Sequence, residues 1–265
     1  MLKPAQFSAS HGVPHGQAHA LSRLAVALLF LPITAHAWTR VSDQRIALKG
    51  AALAPPDLRL ILTRFESEYK RGIERAESEE GTASHHYFVL SKNGRLRERI
   101  ERETRSAIAS IRKGDAMPTV VERLGTLAHL VADANNPFNT SDADSRLAPL
   151  HDDFAQYFER RMSKFPTVFY GLEENFALTP YLTHTFERSA KLYPLMSEEY
   201  FRGGVAHTSA EFDDRSTAFG VASVCYSHAV TDLVNLYYYI WREAGGDVRS
   251  ASAMRGSNLL LNESN

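Results

Sequence analysis

Beyond Trp38 apolar side chains recur at helical spacing along most of the chain, and few stretches alternate as a half-buried strand does. Pro55, Pro56 and Asp57 open a helix that the pattern carries to Ala76, with Leu58, Ile61, Leu62, Phe65 and Tyr69 on one side. Residues 94–114 repeat the period with Leu96, Ile100, Ile108 and Ile111, and their dense Glu/Arg face reads as solvated surface whose ion pairs contribute little. A third helix runs through Val120, Val121, Leu124, Leu127, Leu130 and Val131 and is ended by Pro137. An Asp/Asn/Ser loop over 139–145 follows, then a helix over 149–162, an irregular aromatic segment over 165–175, and helices over 179–202 and 216–244. Gly245 and Gly246 stop the last of these, and the tail at 251–265 is expected to fray. With no repeat and no clear linker, the simplest architecture is a single all-α bundle over residues 38–250.

The stretch LGTLAHLVADANNPFNT, residues 124–140, breaks its own apolar pattern. Glu122, Gly125, His129, Asp133 and Asn136 form a polar stripe on a helix otherwise apolar enough to be buried, and Gly125 would let another group come close. His129 and Asp133, four residues apart, stack an imidazole over a carboxylate on one face. Buried polar groups need partners, and one metal ion would serve both. The same spacing recurs at His228 and Asp232, where a structural pair is the simpler reading.

Composition narrows the chemistry. The formal charge of −1 argues against a surface dedicated to nucleic acid. A single cysteine, Cys225, excludes an intramolecular disulfide and every thiolate-rich zinc motif, so a metal would be held by His, Asp, Glu or backbone groups. At the N-terminus, Lys3 and Arg23 precede an apolar core over 24–33, and Ala35-His36-Ala37 forms an A-x-A cleavage signal. The apolar run is too short to span a bilayer. Residues 1–37 are therefore expected to be a signal peptide, with the mature protein secreted or periplasmic, starting at Trp38 and carrying no transmembrane span.

The metal-ligand residue types are Trp38 as a free amino terminus, Asp57, Glu77, His85, His86, His129, Asp133 and His151. Histidine and carboxylate ligation without sulfur suits catalytic zinc. In this order the chain resembles the secreted zinc-dependent phospholipase C family, which shares its fold with the single-strand-specific zinc nucleases. Trp38 after AHA matches that family's N-terminal Trp ligand, HHYF its His-aromatic loop through His85 or His86, and GTLAHLVADANNPFNT its hallmark helix. The resemblance implies that Asp133 bridges two zinc ions, that His151 is a ligand, and that Glu77 is both ligand and general base. It also implies a helical fold and covers roughly residues 38–162.

Three positions depart from the family. Asn139 stands where a post-proline His is expected and Ala155 where the Glu four residues after His151 is expected, so the ion those positions would hold is expected to be lost. Asp57 stands where an early-helix His is expected. The function implied is hydrolysis of a phospholipid or other phosphodiester by metal-activated water, with Glu77 and Asp133 catalytic and one to two zinc ions rather than three. Tyr87, Phe88, Phe138 and Tyr170 could line a pocket, though such rings are more often core. The alternatives are a degenerate member with one zinc or none, acting as a binding or structural protein, and a single-strand nuclease-like enzyme. No stable nucleic-acid partner is expected.

Overall fold

The computed structural model describes residues 38–78, 81–255 and 259–261; the expected signal peptide lies outside them. Two helices make its centre: α5 (Met117–Ala134) and α10 (Thr217–Glu243), each apolar nearly all round and buried along most of its length. Around them pack α1 (Arg40–Ala52), α3 (Glu66–Ser78), α4 (Leu96–Lys113), α7 (His151–Arg161) and α9 (Tyr193–Tyr200). The remaining helices are α2 (Pro56–Arg64), α6 (Pro137–Thr140) and α8 (Leu178–Ala190). The all-α expectation holds. Among the described residues no helix is long and apolar enough to cross a membrane.

The helices α3 and α5 meet backbone to backbone. A Cβ on Gly72 would lie 1.9 Å from the Glu122 carbonyl oxygen, and one on Gly125 would lie 2.0 Å from that of Tyr69. The close group that Gly125 admits is thus the neighbouring helix, which brings the end of α3 beside the polar stripe of α5.

Several boundaries differ from the periodicity, each for a local reason. The helix expected over 55–76 is two helices, because Phe65 at φ −113° and ψ 39° breaks the run. The one expected over 179–202 is likewise broken, with Pro194 in the first turn of α9. Pro137 ends α5 and also opens α6, whose cap is Asn136 accepting from the Phe138 amide. The helix α1 was not foreseen: its buried face is Ser42, Asp43, Ala47, Gly50 and Ala51 beside Ile46, too small and polar to show as a stripe.

Two small antiparallel pairs complete the fold. The hairpin of β1 (Tyr87–Phe88) and β2 (Asn93–Gly94) precedes α4, and β3 (Thr167–Phe169) pairs with β4 (Leu259–Leu261). The segment expected to fray therefore contributes a strand. Along α10, Ser227, Thr231 and Asn235 accept from the amides of Val168, Tyr170 and Glu173, so the aromatic segment's backbone is satisfied by a helix face.

Candidate metal centre

His129 and Asp133 sit on the face of α5 that looks between α1 and the η-turn Thr82–Ser84 leading into β1. That turn delivers His85. Its backbone is pinned by Arg95 N–H donating to Ala83 and by Leu96 N–H donating to His86, across Gly94. Gly94 has φ 106°, and a Cβ there would lie 2.0 Å from the His86 carbonyl oxygen, so the crossing requires glycine.

Three donor atoms converge. His85 Nδ1 is 2.8 Å from Asp133 Oδ2 and 3.2 Å from His129 Nε2, and His129 Nε2 is 3.3 Å from Asp133 Oδ2. Tetrahedral zinc with bonds of about 2.0 Å sets its ligand atoms about 3.3 Å apart, so two edges of this triangle already match and the third is short. All three residues are buried. The other ring nitrogen, His129 Nδ1, donates to Asp43 Oδ2 at 2.8 Å. This is the carboxylate–histidine arrangement that fixes a tautomer and aims the remaining nitrogen at a metal. Asp43 Oδ1 and Asp133 Oδ1 are buried without a hydrogen-bond partner, which leaves each carboxylate an oxygen to offer a cation.

Burial works against charge on His129, but the carboxylates of Asp133 and Asp43 outweigh it and push the imidazolium up to about 9. In the zinc-free protein the stability from this pairing is whole below the ordinary histidine value of 6.5 and is lost as pH rises through about 9. Thermal unfolding of zinc-free protein over that window is expected to show a falling Tm. Zinc competes with the same proton, so its affinity should rise as that stability falls.

The other residues singled out in the sequence lie at varying removes. His86 turns from the cluster: its Nδ1–H donates to Thr82 O at 3.0 Å and its ring stacks on Phe88. His151 is buried, with Nε2 donating to Asn139 Oδ1 at 2.9 Å. The Asn139 amide reaches back to the Asp133 carbonyl at 3.5 Å. The His151 Nε2 and Asn139 Oδ1 atoms thus pair, while His151 Nδ1 is buried without a hydrogen-bond partner. Glu77 approaches from the Asp43 side, where it is 3.3 Å from Arg40 Nε and lines a separate cavity with Trp38 and Asp152. The Trp38 indole is buried against Phe158 and donates to Ala132 O at 2.8 Å, tying the start of α1 to α5. Asp57 is not brought to the cluster; it is exposed in the first turn of α2. The carboxylate from the N-terminal helices that does reach the cluster is Asp43. His228 and Asp232 do not pair: Asp232 instead accepts from Arg188, Asn135, Thr185 and Tyr181. Of the aromatic candidates, Phe88 and Phe138 reach a cavity, Tyr87 packs on Phe186, and Tyr170 stacks on His228.

That cavity, of about 310 Å³, opens over the cluster. His85 forms part of its wall, with His86, Phe138, Asn139, Asp142 and His151 among the others. Of the three cluster residues His85 lines it, and His129 and Asp133 do not.

No family model matches the chain, and no curated protein sequence matches it. Among solved structures, the fold is similar to that of Clostridium perfringens alpha-toxin from avian strain SWCP, with a TM-score of 0.56 and 12% identity over 81% of this chain. This chain spans 66% of the toxin chain, slightly under two-thirds. The likeness is one of fold, and at that level it agrees with the resemblance drawn from the motifs.

Proposed function

We propose that this chain is an exported, zinc-dependent phosphodiester hydrolase of the phospholipase C type. The observation that carries the reading is the convergence of His85 Nδ1, His129 Nε2 and Asp133 Oδ2 beneath a cavity, with Asp43 holding His129 in the ligating tautomer. A donor set of two imidazoles and a carboxylate, with no thiolate, suits catalytic zinc rather than a structural site.

In the proposal His85, His129 and Asp133 hold one ion. Asp133 and Asp43, each with a buried oxygen that has no hydrogen-bond partner, would be the carboxylates available to a second on the side of Glu77. Bound zinc would neutralise the phosphate and lower the pKa of a water toward about 7. The cavity wall orients the diester so that water oxygen bonds to phosphorus as the ester P–O bond on the opposite side breaks, and the leaving alkoxide takes the proton. Glu77, on the Asp43 side and lining a separate cavity, would serve as a ligand to that second ion rather than as the acceptor of the water's proton. His151 and Asn139 would shape the wall through the hydrogen bond between them.

The closure of His151 on Asn139 is also the observation that favours a second reading, a family-like scaffold with one zinc or none. A polynucleotide substrate is disfavoured, because no Lys or Arg among the described residues lines the cavity to meet a run of phosphates. Hydrolysis of bis(p-nitrophenyl) phosphate by zinc-loaded and chelator-treated protein separates these readings. Turnover that disappears with the metal and returns with zinc is expected. Folded, zinc-bearing protein that turns over no diester would leave the scaffold reading in its place.

A further inference from the structure

Between the metal cluster and the solvent, the cavity wall is mostly apolar and carries a few hydrogen-bond acceptors. His86 donates its Nδ1 hydrogen to Thr82 O, so Nε2 presents a lone pair, which has no hydrogen-bond partner among the described residues. Asp142 lines the same wall, is exposed, and has no hydrogen bond or ion pair among the described residues. The neighbouring Asp144 differs, since Arg146 grips both its oxygens and Ser197 donates to it. Asp142 is therefore the unneutralised carboxylate of the cavity. Ser141 and Ser145 add hydroxyls to the same loop.

The aromatic rings do not form an open cage. Phe88 has one face covered by His86, with ring centroids 4.4 Å apart and planes 20° from parallel. Phe138 is covered in the same way by Phe154 at 5.1 Å and 20°, and by Tyr193 edge-on at 5.6 Å. A quaternary ammonium is recognised by exposed ring faces, and few are offered. A primary ammonium instead brings three N–H donors to acceptors and a charge to a free carboxylate.

From this geometry, and resting on the hydrolase reading above, we propose that His86 Nε2 and Asp142 form a headgroup subsite selecting phosphodiesters of a primary-ammonium alcohol. The chemistry is shared by a lipid, phosphatidylethanolamine, and by its soluble counterpart, glycerophosphoethanolamine. The donors of one ammonium would be taken by the His86 nitrogen, the Asp142 carboxylate and a loop hydroxyl, while the phosphate lies toward His85.

The test uses zinc-loaded protein with short-chain phosphatidylethanolamine, phosphatidylcholine and phosphatidylglycerol below their micelle concentrations, with glycerophosphoethanolamine, and with bis(p-nitrophenyl) phosphate. The kcat/KM for phosphatidylethanolamine is expected to exceed that for each other lipid by about tenfold or more, the scale of one charge-assisted hydrogen bond. Asp142→Asn, on an exposed side chain that holds nothing in the fold, is expected to bring that ratio to within about twofold. Glycerophosphoethanolamine turned over as well as the short-chain lipid would assign the subsite to the soluble diester, and turned over poorly, to the lipid. Hydrolysis without an ethanolamine preference, or a preference that survives Asp142→Asn, would overturn the subsite while leaving the hydrolase reading in place. No turnover of any diester, including the headgroup-free one, would overturn both.

Discussion

Replacing Asp133 with Asn is expected to abolish metal binding while leaving the helical fold intact. The substitution keeps the size and a hydrogen-bonding oxygen but removes the charge that faces two imidazole nitrogens at 2.8 and 3.3 Å. A change in an outer-shell partner of a ligand costs about 10–100-fold in metal affinity. Loss of the central anionic ligand should exceed that, and with it should go all zinc-dependent turnover. Asp43→Asn provides the graded comparison, because Asp43 touches the cluster only through His129 Nδ1. Its zinc affinity is expected to fall by about 10–100-fold, with binding retained at high zinc. Isothermal titration of the three proteins checks the order. Equal affinities for Asp133→Asn and the parent would remove the cluster as the zinc site.

The second large effect is on stability. Gly125→Ala places a methyl group 2.0 Å from the Tyr69 carbonyl oxygen and 3.2 Å from Gly72 Cα. Neither is the end of a flexible side chain, so α3 and α5 must move apart by about an ångström, opening the core around Tyr69, Ile73, Leu124 and Ala128. Overpacking against backbone costs about 3 kcal/mol or more, or roughly 10 °C in Tm for a chain of this size. The same exchange at Gly220, on the exposed face of α10 with nothing within 4 Å of a Cβ, should instead stabilise by roughly 1 kcal/mol. Calorimetric scans of both variants give the comparison. A Gly125→Ala protein as stable as the parent would contradict the backbone contact that brings the end of α3 beside α5.

How much of this was legible in the sequence differs from element to element. The helices with a clear apolar stripe, α4, α5 and α10, could be read from their periodicity. So could the polar face carrying His129 and Asp133, since a polar stripe on a helix otherwise apolar has few innocent explanations. The companion histidine was legible only as a pair of neighbours. Choosing His85 over His86 requires the turn geometry that sends one ring to Asp133 and the other to Thr82 O.

The least legible part was Asp43. Its helix buries small and polar side chains, so no hydrophobic period marks it, and an acidic residue in a first helical turn is commonplace. One signal was available: a buried His-x-x-x-Asp pair needs a partner for the outer imidazole nitrogen, and the early acidic residues were the candidates. Asp57, which the resemblance offered as a metal ligand, lies where Pro56 begins a new helix that turns its first residues to the surface. The strands at 167–169 and 259–261 were hidden for another reason. Their pairing joins segments far apart in the second half of the chain, and local pattern carries no information about it.

The central claim is that His85, His129 and Asp133 hold zinc. Elemental analysis of the purified mature protein, after dialysis against zinc-free buffer, tests it most directly. At least one zinc per chain is expected, retained at neutral pH and absent from Asp133→Asn. Folded parent protein without zinc, unable to take it up when zinc is returned, would contradict the account and leave a helical scaffold with a buried polar cluster.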